Sequence, residues 1–476
     1  MPRNIVVVLT DDHAQWANGC YGNSEVSTPS IDHLARTGVL MEQAFCPTPV
    51  CSPARASFWT GRLPSQHGVH DYLGDSVSDR NWIDGETNLA ELFSGSGWLT
   101  GLAGKWHLGG SGRPARGFDY WAQHDLTRAM AEAFRLFKGG QLIDASLVRG
   151  YHGPWGPAPR RRAEDGAHRI VDHAIDFLHH RDDRPFFLYV GFIGTHSPWT
   201  ANPERLVERY RRCSFADIPT DTVTRFGGMS DESLLPTRRN PREALAQYYA
   251  AVTLLDEQLG RILDELADQD LLDDTLVVYT SDHGLNLGQH GVWGKGNGTR
   301  PLNFFEESIR IPLVLSHAGN SLMSGTRRSE TVTHLDTFQT LLDWAGIAVP
   351  DELRDRANLP GRSYRRLIEG GSMPDWNDDL FCEYGDARMM RTARHKLIHR
   401  ARTGRTELYD LLVDPRERLD LSCDPAHAGL VAELTGAMQQ WFARFDEPER
   451  SGLGVWDRPF PNSWPAWVDR SPFTSA

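Results

Sequence analysis

Residues 51–55 read Cys-Ser-Pro-Ala-Arg, placing a thiol and a guanidinium four positions apart. If a helix opens here, Arg55 lies one turn on from Cys51 and points back at it, and the helix dipole adds to its positive field. Asp11 and Asp12 close one apolar run, and Asp282 and His283 close another. Three carboxylates and an imidazole at two strand ends form a hard donor set suited to Ca²⁺ or Mg²⁺, and the imidazole also admits Mn²⁺. Lys105 and His107 are two apart in Gly-Lys-Trp-His-Leu-Gly, so an extended segment projects both from one face. His196 follows a third apolar run, and Lys295 sits between glycines in Trp-Gly-Lys-Gly. Singly, each has a plainer reading: a helix cap, a buried thiol, a solvated loop cation. Their number and order point to chemistry on an anion.

The apolar runs at 4–9, 185–192 and 275–280 are short and unbroken, as strands buried on both faces of a parallel sheet are. Helical periodicity at 29–38, 164–180 and 242–270 separates them. Alternating strands and helices predict an α/β fold, a large mainly parallel sheet sandwiched by helices. In such sheets ligands bind beyond the carboxyl ends of the strands, where all three polar clusters fall. Residues 109–166, rich in Gly, Pro, Arg and Trp, read as loop insertions over that site. Beyond Gly370-Gly371 the pattern changes to short alternating runs at 380–384, 389–392, 396–399 and 407–410, then a helical stretch at 425–445. The expected division is a catalytic domain at 1–370 and a smaller α+β subdomain with an antiparallel sheet at 371–476. Residues 454–467 read as a tryptophan-rich strap over the surface.

In this order the segments resemble the sulfatase family, whose fold is alkaline-phosphatase-like. The matching residues are Asp11-Asp12, Cys51-x-Pro53-x-Arg55, Lys105-x-His107, His196, Asp282-His283 and Lys295, with a weaker match at 407–410 and 414–415. Ala54 departs from the usual Ser or Thr, and His283 stands where many members have Asn. The resemblance implies that Cys51 is oxidised by a formylglycine-generating enzyme, giving an aldehyde hydrate as nucleophile. It implies one calcium ion at Asp11, Asp12, Asp282, His283 and the modified Cys51. Arg55, Lys105, His196 and Lys295 would bind the sulfate, with His196 or Lys295 protonating the departing oxygen and His107 deprotonating the second hydroxyl. His70, Asp71 and Trp199 are further candidates for contact with the alcohol, an indole face suiting a sugar or aryl ring. A phosphonate monoester or phosphodiester hydrolase of the same superfamily is the nearest rival, and a non-catalytic binding protein on this fold the more distant one.

The chain has 476 residues, 40% hydrophobic and 24% charged, with a formal net charge of −13. That charge argues against nucleic acid as the main partner and against long sulfated polymers, leaving a small sulfated substrate, a saccharide before an aryl or alkyl ester. Six irregularly spaced cysteines suit a reducing compartment. No 18-residue apolar stretch predicts a membrane span, and no cleavage site follows the first strand. A glycan at the Asn297-Gly298-Thr299 sequon would obstruct Lys295. The expected location is cytoplasmic; the sequence sets no oligomeric state.

Overall fold

Asn4–Thr10 is buried along its whole length, and its side chains divide by parity. Ile5, Val7 and Leu9 enter one hydrophobic core, Val6 and Val8 another. Successive strand side chains point to opposite faces, so this strand is apolar throughout because both faces of its sheet are covered. The structure is a computed structural model describing residues 4–73, 81–109, 113–126, 132–139, 141–148, 162–218, 227–228, 240–319, 322–351, 358–458 and 466–467.

The main sheet comprises β1 (Asn4–Thr10), β2 (Gly38–Phe45), β3 (Leu99–Gly104), β4 (Tyr120–Leu126), β5 (Glu132–Lys138), β6 (Gln141–Val148), β7 (Phe186–Gly191), β8 (Thr275–Ser281), β9 (Leu313–His317) and β10 (Thr326–Thr333). Their order is β10-β2-β9-β8-β1-β7-β3-β4-β5-β6. Only β5 and β9 run against the rest, so the sheet is mainly parallel as expected. Helices α1 (Pro29–Thr37), α2 (Cys51–Thr60), α3 (Leu89–Gly95), α4 (Arg162–His180), α5 (Pro241–Asp268) and α6 (His334–Ala345) cover it. The α2, α3 and α6 helices pack on the Ile5 face, and α1, α4 and α5 on the Val6 face.

The reading of 109–166 as loop insertions is corrected in part. β4, β5 and β6 fall in this span and extend the sheet at its β3 edge, β4 parallel and the next two as antiparallel neighbours. Their alternation is short and lies among Gly, Pro and Arg, which masked it as a strand signal. The rest of that reading, at 110–112, 127–131, 140 and 149–161, falls outside the described residues.

Beyond residue 370, β11 (Leu380–Tyr384), β12 (Ala387–Arg391), β13 (His395–Arg400) and β14 (Arg405–Asp410) form an antiparallel meander. One face (Phe381, Met390, Leu397 and Leu408) packs on Leu434, Met438 and Phe442 of α7 (Ala428–Phe445). The other face (Cys382, Met389, Ile398 and Tyr409) joins the core beneath the main sheet. Of the tail, Trp467 is buried in that core and the Ala466 N–H donates to Asp71 at 2.6 Å. No helix among the described residues is long and apolar enough to cross a membrane.

Strand register sets the site. β1 and β8 end level, Thr10 opposite Ser281, so Asp11 and Asp282 leave the sheet side by side. β7 and β3 end level at Gly191 and Gly104, and the Lys105 N–H bonds the Gly191 carbonyl at 2.9 Å. A Cβ on Gly104 would lie 2.1 Å from the Gly191 oxygen, and its φ is +107°, so only glycine lets the chain turn here to deliver Lys105.

Candidate active site

Helix α2 begins at Cys51, and every one of its residues is buried. Pro53 is tolerated in the first turn because the amide it lacks would have no intrahelical partner. Arg55 therefore stands one turn in, wholly buried, directly behind the thiol. Its Nε donates to Asp282 Oδ2 at 3.0 Å, its Nη2 lies 3.4 Å from Asp11, and its Nη1 donates to the Tyr189 hydroxyl at 2.9 Å. Removing such a guanidinium would take the shared cation from two buried carboxylates, a loss of about 3–5 kcal/mol.

In front of Arg55 the charged groups converge on one sulfur. Lys295 Nζ is 2.8 Å from Cys51 Sγ and 2.6 Å from Asp12 Oδ1. His283 Nε2 is 3.3 Å from the same sulfur, and Asp11 Oδ1 3.5 Å. Lys105 pairs with Asp11. An ammonium has three hydrogens. Lys295 uses two and Lys105 one among the described residues, so both keep donors for an incoming anion. Burial opposes ionisation of Cys51, but Lys295, Lys105 and His283 outweigh it and hold the thiol well below its ordinary pKa.

Asp11, Asp12, Cys51 and His283 each offer a ligand atom within 4.8 Å of the others, so these four could hold a metal ion. His283 Nδ1 faces the Gly284 carbonyl at 2.9 Å and donates to it, leaving Nε2 turned toward the carboxylates. Asp282, expected among the ligands, stands just outside that four. Its Oδ1 is 3.5 Å from His283 Nε2 and accepts the N–H groups of Asp12 and His283, while Oδ2 holds Arg55. Burial, then the Asp11 charge, pushes Asp282 up to about 6. Burial lowers His283, but Asp282, Cys51 and Asp12 together outweigh it and the imidazole rises to about 9.

Two residues of the cradle, Asp12 at φ +55° and His107 at φ +61°, occupy the left-handed region that side chains disfavour. Such strain collects at functional sites and persists where the surroundings over-determine it. Asp12 is pinned from both sides, its N–H by Asp282 and its carbonyl by the Tyr248 hydroxyl at 3.0 Å. His107 Nε2 meets the Leu73 carbonyl at 3.1 Å. Burial, then Lys105, pushes His107 down to about 4. His196 lies at the rim, its Nε2 4.0 Å from Asp12.

A family model described as Sulfatase matches residues 3–347 of this arrangement. The chain belongs to the sulfatase family. It is accordingly a sulfuric ester hydrolase. A second model, for the C-terminal part of N-sulphoglucosamine sulphohydrolase, matches residues 288–444. The arylsulfatase of Clostridium perfringens is 28% identical, across 88% of this chain and 90% of that one. The N-acetylglucosamine-6-O-sulfatase of Bacteroides thetaiotaomicron is 25% identical, across 92% and 86%. The N-sulphoglucosamine sulphohydrolase of Homo sapiens is 26% identical, across 92% and 90%. A structure solved with its substrate D-glucosamine-2-N,6-O-disulfate superposes with a TM-score of 0.76 at 22% identity, covering 94% of this chain and 99% of that one. The phosphonate monoester hydrolase of Agrobacterium radiobacter gives 0.72 at 23%, covering 93% and 96%. At these identities the two structures speak for the fold, which both share with this chain.

Three residues expected at the substrate have other partners in this sulfatase. The His70 Nε2 meets the Arg450 carbonyl at 2.6 Å. Asp71, wholly buried, accepts from the Tyr384 hydroxyl and the Ala466 N–H, both at 2.6 Å. Both side chains tie the segment at 70–71 to the C-terminal region, and neither is in contact with the cradle. Trp199 is only 4% exposed, its indole N–H donating to the Thr195 carbonyl at 2.9 Å, so it offers no open face. Conversely, Tyr189 and Tyr248, which hold Arg55 and Asp12, were missed. Tyr189 has a legible signal, being the one hydroxyl in the run Phe-Phe-Leu-Tyr-Val. Tyr248 lies mid-helix and has none.

Proposed function

We propose that this sulfatase hydrolyses the sulfate ester of a small saccharide, with an oxidised Cys51 as nucleophile and a divalent cation beside it. The reading rests on the convergence of Lys295, His283 and Asp11 on one Sγ atom, within 3.5 Å, in front of a buried Arg55. The saccharide is supported by two relatives named for amino-sugar sulfates. The donor set fits a hard ion: carboxylates of Asp11, Asp12 and Asp282, the Nε2 of His283 and the group at position 51 would hold Ca²⁺, or Mg²⁺ or Mn²⁺ in its place. Bound there, the ion would supply positive charge to a substrate oxygen and lower the pKa of the nucleophile. Formylglycine at position 51, made by a maturing enzyme, would react as its hydrate: one hydroxyl would attack sulfur and release the alcohol, the other would lose its proton as sulfate leaves, and water would rehydrate the aldehyde left behind.

The chain's own side chains do the remainder. Lys105 and Lys295 direct their spare N–H groups at sulfate oxygens, where charge builds in the transition state. Arg55 holds Asp11 and Asp282 in place and adds its charge from behind. His196 and Lys295 stand where the departing oxygen takes a proton. His107, kept neutral by burial, accepts one. The cytoplasmic location belongs to this reading and is supported by six cysteines that are all free thiols; cell fractionation tests it.

The test is mass spectrometry at position 51 after co-expression with a formylglycine-generating enzyme, coupled to rates on 4-nitrophenyl sulfate, N-acetylglucosamine 6-sulfate and an aryl phosphonate ester. Conversion of Cys51 in step with sulfate hydrolysis is expected. Full activity with a plain thiol, or a faster phosphonate reaction, would sink the reading.

A further inference from the structure

Exposure of the cradle is graded. Arg55 and Asp11 are 0% exposed, Lys295 10%, Lys105 11% and His196 33%. An ester entering this site must therefore put its sulfate inward and its alcohol out past His196 and Lys295. The loops carrying those two residues each carry an indole as well. Trp199 lies three residues after His196, and Trp293 two residues before Lys295. The two rings meet, their centroids 6.2 Å apart and their planes inclined at 54°. Trp199 is also pressed edge-on against Tyr248, so it is a fixed backing. Trp293 is the half-exposed member, and its indole N–H has no partner among the described residues.

We propose that Trp293, braced by Trp199, is the platform on which the alcohol of the ester rests, and that it selects esters whose sulfate is carried on a six-membered ring. This rests on the sulfatase reading and deepens it. Trp293–Gly294 pairs with Asn286–Leu287 and Lys295 follows directly, the chain turning at Gly294 with φ +140°. Through Trp199 the Trp293 ring also touches the loop that carries His196. The indole is therefore tied to both segments whose side chains attend the leaving oxygen. An indole offers a flat apolar face to ring C–H groups or to an aryl π-face, and its free N–H offers a donor to a ring hydroxyl. A short alkyl sulfate can use neither. Pyranose and aryl rings share this chemistry, and the substrates below separate them.

The experiment compares wild type with Trp293→Ala and Trp293→Phe on N-acetylglucosamine 6-sulfate, 4-nitrophenyl sulfate and propyl sulfate. The Ala variant should lose about tenfold in kcat/KM on a ring-bearing ester, chiefly through KM, and less than about threefold on propyl sulfate. Phe should restore most of the loss. A greater loss on the sugar than on the aryl ester identifies a pyranose as the natural ring; the reverse identifies an aryl ring. Equal loss on ring and alkyl esters, or none, overturns the proposal. Binding of 4-nitrophenyl sulfate and of inorganic sulfate to unmatured protein, by calorimetry, gives the same comparison without turnover. The Ala variant should weaken the first and leave the second unchanged; weakening both or neither overturns the platform. Absence of any sulfate hydrolysis by matured wild type would instead count against the sulfatase reading, leaving the binding comparison to judge Trp293.

Discussion

The cradle around Cys51 and the junction around Lys396 are built from the same kinds of side chain. Both are buried, and both set lysine and arginine against carboxylates with a histidine alongside. At the junction Lys396, on β13, is 0% exposed and donates to the Phe304 carbonyl, to Glu417 and to Glu306, each at 2.8 Å. Those are all three of its hydrogens. Arg391 and Arg310 also bind Glu306, at 3.0 and 2.9 Å, and His290 binds Glu307 at 2.8 Å while stacked flat on Phe305. His290, Glu307 and Glu417 satisfy the spacing of a metal triad, as Asp11, Asp12, Cys51 and His283 do. What separates the two clusters is the saturation of the lysine donors. The junction closes on itself and clamps the C-terminal sheet to the segment that follows the Lys295 loop. Among the described residues the cradle leaves hydrogens on Lys105 and Lys295 without partners, beside a rim that water can reach.

The widest separation should come from the nucleophile. Cys51→Ala in matured protein should cut turnover of 4-nitrophenyl sulfate by about 10⁴-fold or more, with a thermal midpoint close to that of wild type. Residual activity above a hundredth of wild type would remove position 51 from the chemistry. Next come the two lysines, whose losses should fall on opposite measurements. Lys396→Met takes the ammonium away from the buried Glu306 and Glu417 carboxylates and should cost about 3–5 kcal/mol in denaturant unfolding, with kcat/KM per folded molecule unchanged. Lys295→Met should lower kcat/KM by about 10²–10³-fold and shift the unfolding midpoint little. If both substitutions acted alike, donor saturation would not distinguish the two clusters.

Metal dependence separates them more finely. Dialysis against a chelator should abolish turnover and lower stability by about 2.7 kcal/mol relative to protein at a hundredfold excess of ion over its Kd. Ca²⁺, Mg²⁺ and Mn²⁺ added back singly should rank the ions. Glu417→Gln should leave that dependence intact, because Lys396 already occupies its carboxylate. A metal response that disappeared in Glu417→Gln would transfer the ion from the cradle to the junction.

The central strands and most of the cradle were legible because their signals are local. An unbroken apolar run followed by a carboxylate says both that a strand is buried on two faces and where it stops, and parallel register then brings Asp11, Asp282 and Lys105 level. The edge strands β4 to β6 lack such runs and were read as loop. His70, Asp71 and Trp199 have partners that the sequence did not announce. Those of His70 and Asp71 lie far along the chain, 380 residues away for His70 and 395 for the Asp71–Ala466 bond, while Trp199 is bonded locally to Thr195 and pressed against Tyr248. No neighbouring residue announces that a polar side chain in a loop will be buried against the C-terminal region. Trp293 went unread because its exposure depends on Trp199 filling the space behind it.

Asp71 supplies the smallest effect and a contrast with both clusters, since no cation among the described residues is bonded to it. Its carboxylate receives three neutral donors, the Tyr384 hydroxyl, the Tyr72 N–H and the Ala466 N–H, and burial pushes it up to about 6. A folded-state pKa above the unfolded value of about 4 means that folding favours the protonated form. Its contribution is therefore fully present below about pH 4 and lost as pH rises through 6, amounting to about 3 kcal/mol. Carboxylates held low by cations, Asp11 among them, run the opposite way and lose their contribution as pH falls. Asp71→Asn removes one titration without removing the side chain's volume. Unfolding measured from pH 4 to 7 should show the difference between wild type and this variant drifting against wild type as pH rises. A difference that stayed constant across that range would mean that the Asp71 carboxylate keeps an ordinary pKa, and that Ala466 and its surroundings shield it less than its buried position implies.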